Sequence, residues 1–380
     1  MPKLTHTTVI TPVYPDPYFI ERGVFVEQMV REWINTGIKV DVVAPRSWAN
    51  RIRGGFRKMR QEHEIAGSRI LYPNYLTLSN NSVAGLNFKK FSYNRFVSAA
   101  LSSSGRISKP QLYYGKFLMT GGLAALQAAK RYGVPAIADM GENLWELKKS
   151  SPSLLKHLVC TLDGITCVSD ELKEALIEWG ADPQKIYSHP NTVDLSRFMP
   201  LSKVECRKKL GLPLDIPILI FVGYFTKNKG IHHVIRTLNE LSATGVKGIF
   251  IGRGPIKPKG ENVLYAGPVS NSNIPYWLNA ADLFILPTTR EGNCNAINEA
   301  MACALPVISS DITSVRGQID DKSGVLIPPG RQAEITQNVQ NLINDAGLRQ
   351  ELGKNARKKI EGLQGESRAL KISKWLERFI

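Results

Sequence analysis

The sequence is poor in cysteine, short of acidic residues and without an apolar stretch of membrane length. Its five cysteines (Cys160, Cys167, Cys206, Cys294 and Cys303) include no Cys-x-x-Cys pair. That argues against a disulfide framework or a zinc knuckle and fits a reducing compartment. No apolar run approaches the ~20 residues that cross a bilayer. The opening MPKLTHTTVI has no charged segment leading into a long apolar one, so neither a signal peptide nor a spanning helix is expected. The six histidines are scattered; the neighbours His232 and His233 fall in an expected helix, where adjacent side chains diverge. No Asp-x-Asp triplet is present to hold a divalent cation on a diphosphate. Neither a metal ion nor a bound cofactor is therefore expected.

The shortage of acid leaves a formal charge of +16, with 49 Lys and Arg against 33 Asp and Glu. Residues 1–131 hold 19 of the cations and only 7 of the acids, a net +12. A basic face of this kind seeks nucleic acid, anionic lipid or a phosphorylated substrate. At 380 residues, 43% hydrophobic and 22% charged, the chain has the make-up of a globular protein of two domains.

Both halves alternate short apolar runs with amphipathic helices, the pattern of parallel α/β sheets. Strands are expected at Thr7–Thr11, Lys39–Ala44, Gln111–Tyr114, Pro135–Asp139 and Gly164–Val168, with a helix over Val24–Ile34. The segment Ser47–Ser108 interrupts this rhythm and shows no clean period. A break at Ser188–Leu201, flanked by Pro190 and Pro200, separates a second series of strands: Ile216–Val222, Gly248–Ile251, Asn262–Tyr265, Asp282–Leu286 and Pro306–Ser309. The expected domains are residues 1–193 and 194–365, with a C-terminal helix in 366–380 returning to the first. Two such α/β halves leave a cleft at the carboxyl ends of their strands, a common place for a nucleotide.

Three polar loops follow strands of the second half. Thr288–Asn295 lies between DLFILP and the helix AINEAMA, a setting that turns backbone N–H groups and a helix dipole toward an anion; Asn295 is the expected N-cap. Glu291 sits in this loop and Glu299 about one turn into the helix. From spacing alone, Glu291 reads equally as a solvated loop residue and Glu299 as an ordinary helical carboxylate. Gly223–Gly230 follows ILIFV and brings Lys229 to the next helix N-terminus. Gly252-Arg253-Gly254-Pro255 follows a third strand. Each loop alone is a weak signal, because such turns are glycine-rich for backbone reasons.

The text VGYFTKNKGI, GRGP, ADLFILPTTREGNCNAINEAMACALPVISS and SGVLIPPG, with Glu291 and Glu299 separated by seven residues, resembles the donor domain of the retaining glycosyl transferases group 1. The first half is similar to the same family through TPVYPDPYFIERGVFVEQMVREWINTGIKVDVVAP and VPAIADMGEN. The resemblance spans roughly residues 5–345. It implies a GT-B fold: two Rossmann-like parallel-sheet domains facing a deep cleft. It also implies transfer of a sugar from a nucleotide-diphosphate sugar with retention and without metal, the donor's phosphate oxygen taking the acceptor proton. By this resemblance Glu291 binds donor sugar hydroxyls, and the amides of Gly292, Asn293 and Cys294, with Asn295 beside them, hold the sugar. Glu299 binds the ribose, and Lys229 with Gly223, Tyr224 and Gly252 lines the diphosphate. Gly23 lets the first loop approach from the other domain. Such chemistry wants cations and N–H dipoles preorganised at the leaving group.

The family usually carries Arg where Tyr224 stands, His where Lys116 and Met140 stand, and Gly at Thr192. Lys116 either replaces the missing charge in catalysis or is a surface lysine. A second reading makes the chain a binding or partner subunit. A nucleic-acid-binding reading has no helix-turn-helix, RNP-like or zinc motif to support it. The opening RGVFVEQ resembles members that build surface polysaccharides on lipid carriers. RIRGGFRKMR (51–60) and LNFKKFSYNRFV (86–97) interleave cations with apolar and aromatic residues, as a protein on an anionic membrane surface does. The expected partners are thus a nucleotide sugar, a glycan or lipid-linked acceptor and an anionic membrane, not nucleic acid. The expected location is cytoplasmic, peripheral on the inner face of the membrane.

Overall fold

The computed structural model describes residues 3–16, 22–48, 62–77, 88–142, 144–148, 150–363 and 366–380. The chain divides into two units, Met1–Pro190 with Arg368–Ile380, and Asn191–Ser367.

The first unit is built on β1 (His6–Ile10), α1 (Val24–Asn35), β2 (Lys39–Val43), β3 (Glu62–Ile65), β4 (Ser68–Leu71), α2 (Phe88–Ser104), β5 (Leu112–Lys116), α3 (Leu123–Tyr132), β6 (Ala136–Met140), α4 (Pro152–Thr161), β7 (Gly164–Cys167), α5 (Asp170–Glu178) and β8 (Ile186–Ser188). Its sheet runs β8-β7-β6-β5-β1-β2-β4-β3. Among the described residues, only the β3–β4 hairpin is antiparallel. Helices cover both faces, which is why β5 and β6 are buried along their whole length. A π-helical turn, Phe117–Gly122, follows β5. Gly121 packs there so tightly that a Cβ would lie 2.4 Å from the Ile10 carbonyl oxygen. The C-terminal helix, Arg368–Leu376, lies on this unit: the Trp33 indole donates to the Ala369 carbonyl at 2.6 Å, and Trp375 stacks on Tyr187.

Among the described residues, the segment that showed no period holds the β3–β4 hairpin, the two-residue strand Asn74–Tyr75 and α2. RIRGGFRKMR lies outside the described residues. On α2, Phe96 and Val97 are core, whereas Phe91 is exposed with the Arg95 guanidinium 6.0 Å from its ring. Among the described residues, no helix is long and apolar enough to cross a membrane.

The second unit contains α6 (Lys203–Leu210), β9 (Ile218–Val222), α7 (Ile231–Glu240), β10 (Lys247–Ile251), β11 (Val263–Gly267), α8 (Ile274–Ala280), β12 (Leu283–Leu286), α9 (Asn295–Ala302), β13 (Val307–Ser310), α10 (Thr313–Arg316), β14 (Gly324–Ile327), α11 (Gln332–Asn344) and α12 (Ala346–Gly362). Its all-parallel sheet runs β11-β10-β9-β12-β13-β14. Ile218–Phe221 and Leu283–Leu286 are wholly buried, as central strands covered on both faces must be. Counting from β9, this is the doubly wound order 3-2-1-4-5-6, whose crevice opens between the first and fourth strands at their carboxyl ends. In this unit those strands are β9 and β12, the two that feed the Gly223–Gly230 and Thr288–Asn295 loops.

Candidate active site

Topology brings the two loops together and hydrogen bonds lace them. Thr289 donates its N–H to the Asn228 carbonyl at 2.8 Å, and the Thr288 hydroxyl donates to the same oxygen at 3.1 Å. Gly230 is left-handed (φ 73°) and so close to the β12 end that a Cβ would sit 2.0 Å from the Pro287 oxygen. The third loop joins from the other side. A Cβ on Gly252 would lie 1.9 Å from the Gly223 oxygen, and Phe225 donates to the Arg253 carbonyl at 2.8 Å. The glycines at 230 and 252 are thus there for backbone against backbone.

Across this seam the Lys229 ammonium donates to Glu291 Oε1. Burial pulls the Lys229 pKa down, yet the neighbouring Cys294 and Glu291 together raise it above its ordinary value. The Cys294 thiol is itself pushed up to about 12 by burial and is neutral at physiological pH, so the ion pair with Glu291 is what keeps Lys229 charged. Among the described residues, the N–H groups of Gly292 and Asn293 donate to no protein atom. Glu299 is half-buried on α9 and its carboxylate has no protein donor among the described residues. Burial pushes it up to about 7, opposed only by Arg197.

Two details of the expected site change. The N-cap of α9 is Cys294 rather than Asn295, which is the first helical residue. The Cys294 N–H is consumed: it donates to Gln318 Oε1 at 2.9 Å, so only two of the three expected loop amides remain available. An amide network supports this loop. Asn191 Nδ2 donates to Asn295 Oδ1 at 2.8 Å, Asn298 Nδ2 to the Asn191 carbonyl at 3.0 Å, and Gln318 Nε2 to Asn298 Oδ1 at 2.7 Å. Asn191, Asn298 and Gln318 carry no local sequence signal, because their partners come from distant segments. Tyr224 is 55% exposed beside Gly223.

Gly23 and Lys116 belong to the first unit. Gly23 is the left-handed N-cap of α1 (φ 78°), where a Cβ would meet the Val13 carbonyl at 2.7 Å. Lys116 is no surface residue: it is 6% exposed and its ammonium lies 2.6 Å from Asp139 Oδ2. That pair sets Lys116 inside the first unit rather than on its surface. Met140 is fully buried at the end of β6. Burial also pushes Glu142, just beyond, up to about 7, against the backbone N–H groups of the π-helical turn. Among the described residues no group of three or more His, Cys, Asp or Glu could hold a metal ion.

This strand order and crevice place the second unit in the doubly wound class that binds nucleotides at its switch point. The sequence model of the glycosyl transferases group 1 matches residues 202–359, and that of glycosyltransferase family 4 matches residues 23–197. TuaC of Bacillus subtilis, a glycosyltransferase assigned to teichuronic acid biosynthesis, is 30% identical over 338 residues, 84% of each chain. Among solved structures, sucrose-phosphate synthase from Thermosynechococcus elongatus superposes with a TM-score of 0.80 over 98% of each chain at 18% identity. Anabaena HepE in complex with UDP-glucose gives 0.70 over 98% of each chain at 14% identity. The chain belongs to the glycosyl transferases group 1 family, has the GT-B fold and is a glycosyltransferase.

The Glu299 carboxyl makes ligand binding pH-dependent if it accepts hydrogen bonds from a donor's diol. Its folded pKa of about 7 lies above the ordinary 4.5, so acidification protonates it and removes acceptor capacity. The donor KM is expected to rise severalfold between about pH 8 and about pH 6, and Glu299→Gln to flatten that dependence while raising KM throughout. Stability moves the other way. A raised carboxyl pKa destabilises the fold above the folded value and not below the unfolded one. The ligand-free Glu299→Gln protein should therefore melt higher than wild type at about pH 8 and equally near pH 4. A flat KM profile in the wild type contradicts this role.

Proposed function

We propose that this glycosyltransferase moves a sugar from a nucleotide-diphosphate sugar to a growing surface polysaccharide or glycolipid, with retention of anomeric configuration. The observation that carries the reading is the seam between the β9 and β12 loops, where Lys229 pairs with Glu291 next to two unengaged amides, with the open carboxylate of Glu299 on the helix that follows.

Departure of a nucleoside diphosphate builds negative charge on its phosphate oxygens, and Lys229 supplies a fixed cation for it. Glu291 and the amides of Gly292 and Asn293 orient sugar hydroxyls, and Glu299 takes the ribose diol. The ion pair with Glu291 holds the Lys229 ammonium at the seam. In this mechanism no metal ion is needed, since Lys229 and backbone dipoles provide the positive potential. The Cys294 thiol, neutral and buried, is no nucleophile.

Polysaccharide synthesis is supported by the likeness to TuaC, and a nucleotide-sugar donor by HepE, which is described in complex with UDP-glucose. A glycan or lipid-linked acceptor fits the net +12 of residues 1–131, which would hold a cytoplasmic protein peripherally on an anionic membrane face. Co-sedimentation with anionic but not neutral vesicles at low salt tests that attachment. The chemistry is tested by NMR of the product linkage, formed with and without chelator. The expected product keeps the donor's anomeric configuration and forms at an unchanged rate in chelator. An inverted product, or activity restored only by a divalent cation, overturns the reading.

A further inference from the structure

The donor loop has a keeper that lies outside it. Cys294 is the N-cap of α9, yet its side chain makes no capping hydrogen bond. A thiol is a poor acceptor, and this one is 8% exposed, buried in the hydrophobic core. Gln318, which follows α10 and is 2% exposed, engages the Cys294 backbone itself. Its side-chain amide pairs with the Cys294 peptide group in the manner of a sheet ladder. Cys294 N–H donates to Oε1 at 2.9 Å, and Nε2 donates to the Cys294 carbonyl at 2.9 Å. The remaining Nε2 hydrogen goes to Asn298 Oδ1 at 2.7 Å, one turn into α9. Asn298 in turn donates to Asn293 Oδ1 at 3.3 Å. One buried amide thus fixes the loop's exit and, through Asn298, the Asn293 side chain.

We propose that Gln318 is the positioning residue of the donor loop, holding Cys294 by both backbone groups so that the amides of Gly292 and Asn293 stay aimed at the donor's sugar. The inference rests on the functional reading above and adds to it a residue that touches no substrate. Only an uncharged group with one acceptor and two donors satisfies this position. A carboxylate would keep the bond to the Cys294 N–H and face two carbonyl oxygens with no hydrogen to give. Methionine would fill the volume and make neither bond.

The role separates from plain stability because it acts on the sugar half of the donor, while Lys229 and Glu299 serve the nucleotide half. The test uses the full-length chain, a panel of UDP, GDP, ADP and dTDP sugars, and each matching nucleoside diphosphate, read by calorimetry and turnover. Gln318→Met and Gln318→Glu should lower kcat by about 10²-fold, the usual cost of a misplaced binding group. They should weaken binding of the nucleotide sugar that wild type prefers. Affinity for the bare nucleoside diphosphate should match wild type. Asn298→Asp should reproduce the effect in part, because its carboxylate can still accept from Gln318 but cannot donate to Asn293. Equal loss of nucleotide-sugar and nucleoside-diphosphate affinity in both Gln318 variants, with a lowered Tm, shows a structural role only and overturns the proposal. Turnover by both variants at the wild-type rate overturns it as well. If wild type itself binds no member of the panel, the functional reading fails first, and that result is distinct from either.

Discussion

Glu291→Ala is expected to lower sugar transfer by at least 100-fold while leaving the fold intact. Glu291 lies in a loop, its carboxylate pairs with Lys229, and the strands on either side of the crevice are held by their own buried side chains. Removing it therefore costs the core nothing. It deletes one preorganised acceptor for the donor sugar and also releases Lys229 from its partner. Loss of a single preorganised polar contact in an active site costs about 3 kcal/mol of transition-state stabilisation, which is roughly 10²-fold in rate. Lys229→Ala should be equally damaging, since the departing diphosphate then lacks its fixed cation. The double variant should be little worse than either single one, because the two side chains act as a unit. Activity of Glu291→Ala within a factor of two of wild type removes the residue from the mechanism.

The largest effect on stability is expected at Asp139, in the first unit. Its carboxylate is fully buried and accepts from Lys116 Nζ at 2.6 Å, Arg368 at 2.8 Å, Thr166 Oγ1 at 2.6 Å and Tyr114 OH at 3.1 Å. Burial alone would raise its pKa, but the Arg368 and Lys116 charges hold it well below the ordinary carboxylate value. Asp139→Ala removes the carboxylate that two buried cations share. Breaking such a set from one side costs about 3–5 kcal/mol, or roughly 6–20 °C in the Tm of a unit this size. Arg368 opens the C-terminal helix, so the variant should also release residues 366–380 to limited proteolysis before global melting. A depressed carboxylate pKa stabilises above the ordinary value, 3.8, and that contribution fades as pH falls through the depressed one. Wild type and Asp139→Ala should therefore converge in Tm only in strong acid. An Asp139→Ala Tm within 2 °C (about 1 kcal/mol) of wild type at neutral pH contradicts the account of this triad.

Much of this was legible in the sequence, for physical reasons that differ from element to element. The runs ILIFV and LFIL announce central strands because both faces of their sheet are covered, leaving no polar alternation to blur them. Lys229, Glu291 and Glu299 stand out because strand-end loops and a helix start place them, all within local reach of a motif. The helix α2 was invisible for the opposite reason. Among the residues whose burial is described, its buried face is Ser92, Phe96, Val97, Ala100, Ser103 and Ser104, a regular helical stripe in which half the positions are serine. Ser104 tolerates burial by donating back to the Ala100 carbonyl at 2.9 Å. Hydropathy sees no stripe there, although the burial has the helical period.

The burial of Lys116 overturns its reading as a surface lysine, and the sequence hides it because its partners are remote. Asp139 is 23 residues away and reaches Arg368 across 229 more. No local pattern marks a charge destined for burial. Gln318 is a similar case: 24 residues separate it from Cys294, and a glutamine after a short helix looks like solvent-facing polarity. Both cases follow one rule. The residues proposed to touch the donor sit in strand-end loops or at a helix start and are readable, whereas those that hold the loops in place are visible only once the sheet order is known.

The measurement that tests the central claim most directly is thermal stabilisation of the purified chain by a panel of nucleotide-diphosphate sugars, run in parallel on Glu299→Gln and Lys229→Ala. A ligand at 100 times its Kd stabilises the folded state by about 2.7 kcal/mol, enough to raise the Tm of its unit by several degrees. The account predicts that at least one nucleotide sugar does so in wild type, that its nucleoside diphosphate does so more weakly, and that both variants lose most of the shift. Absence of a shift in wild type across the whole panel, or an undiminished shift in both variants, contradicts the assignment of the β9 and β12 loops as the donor site.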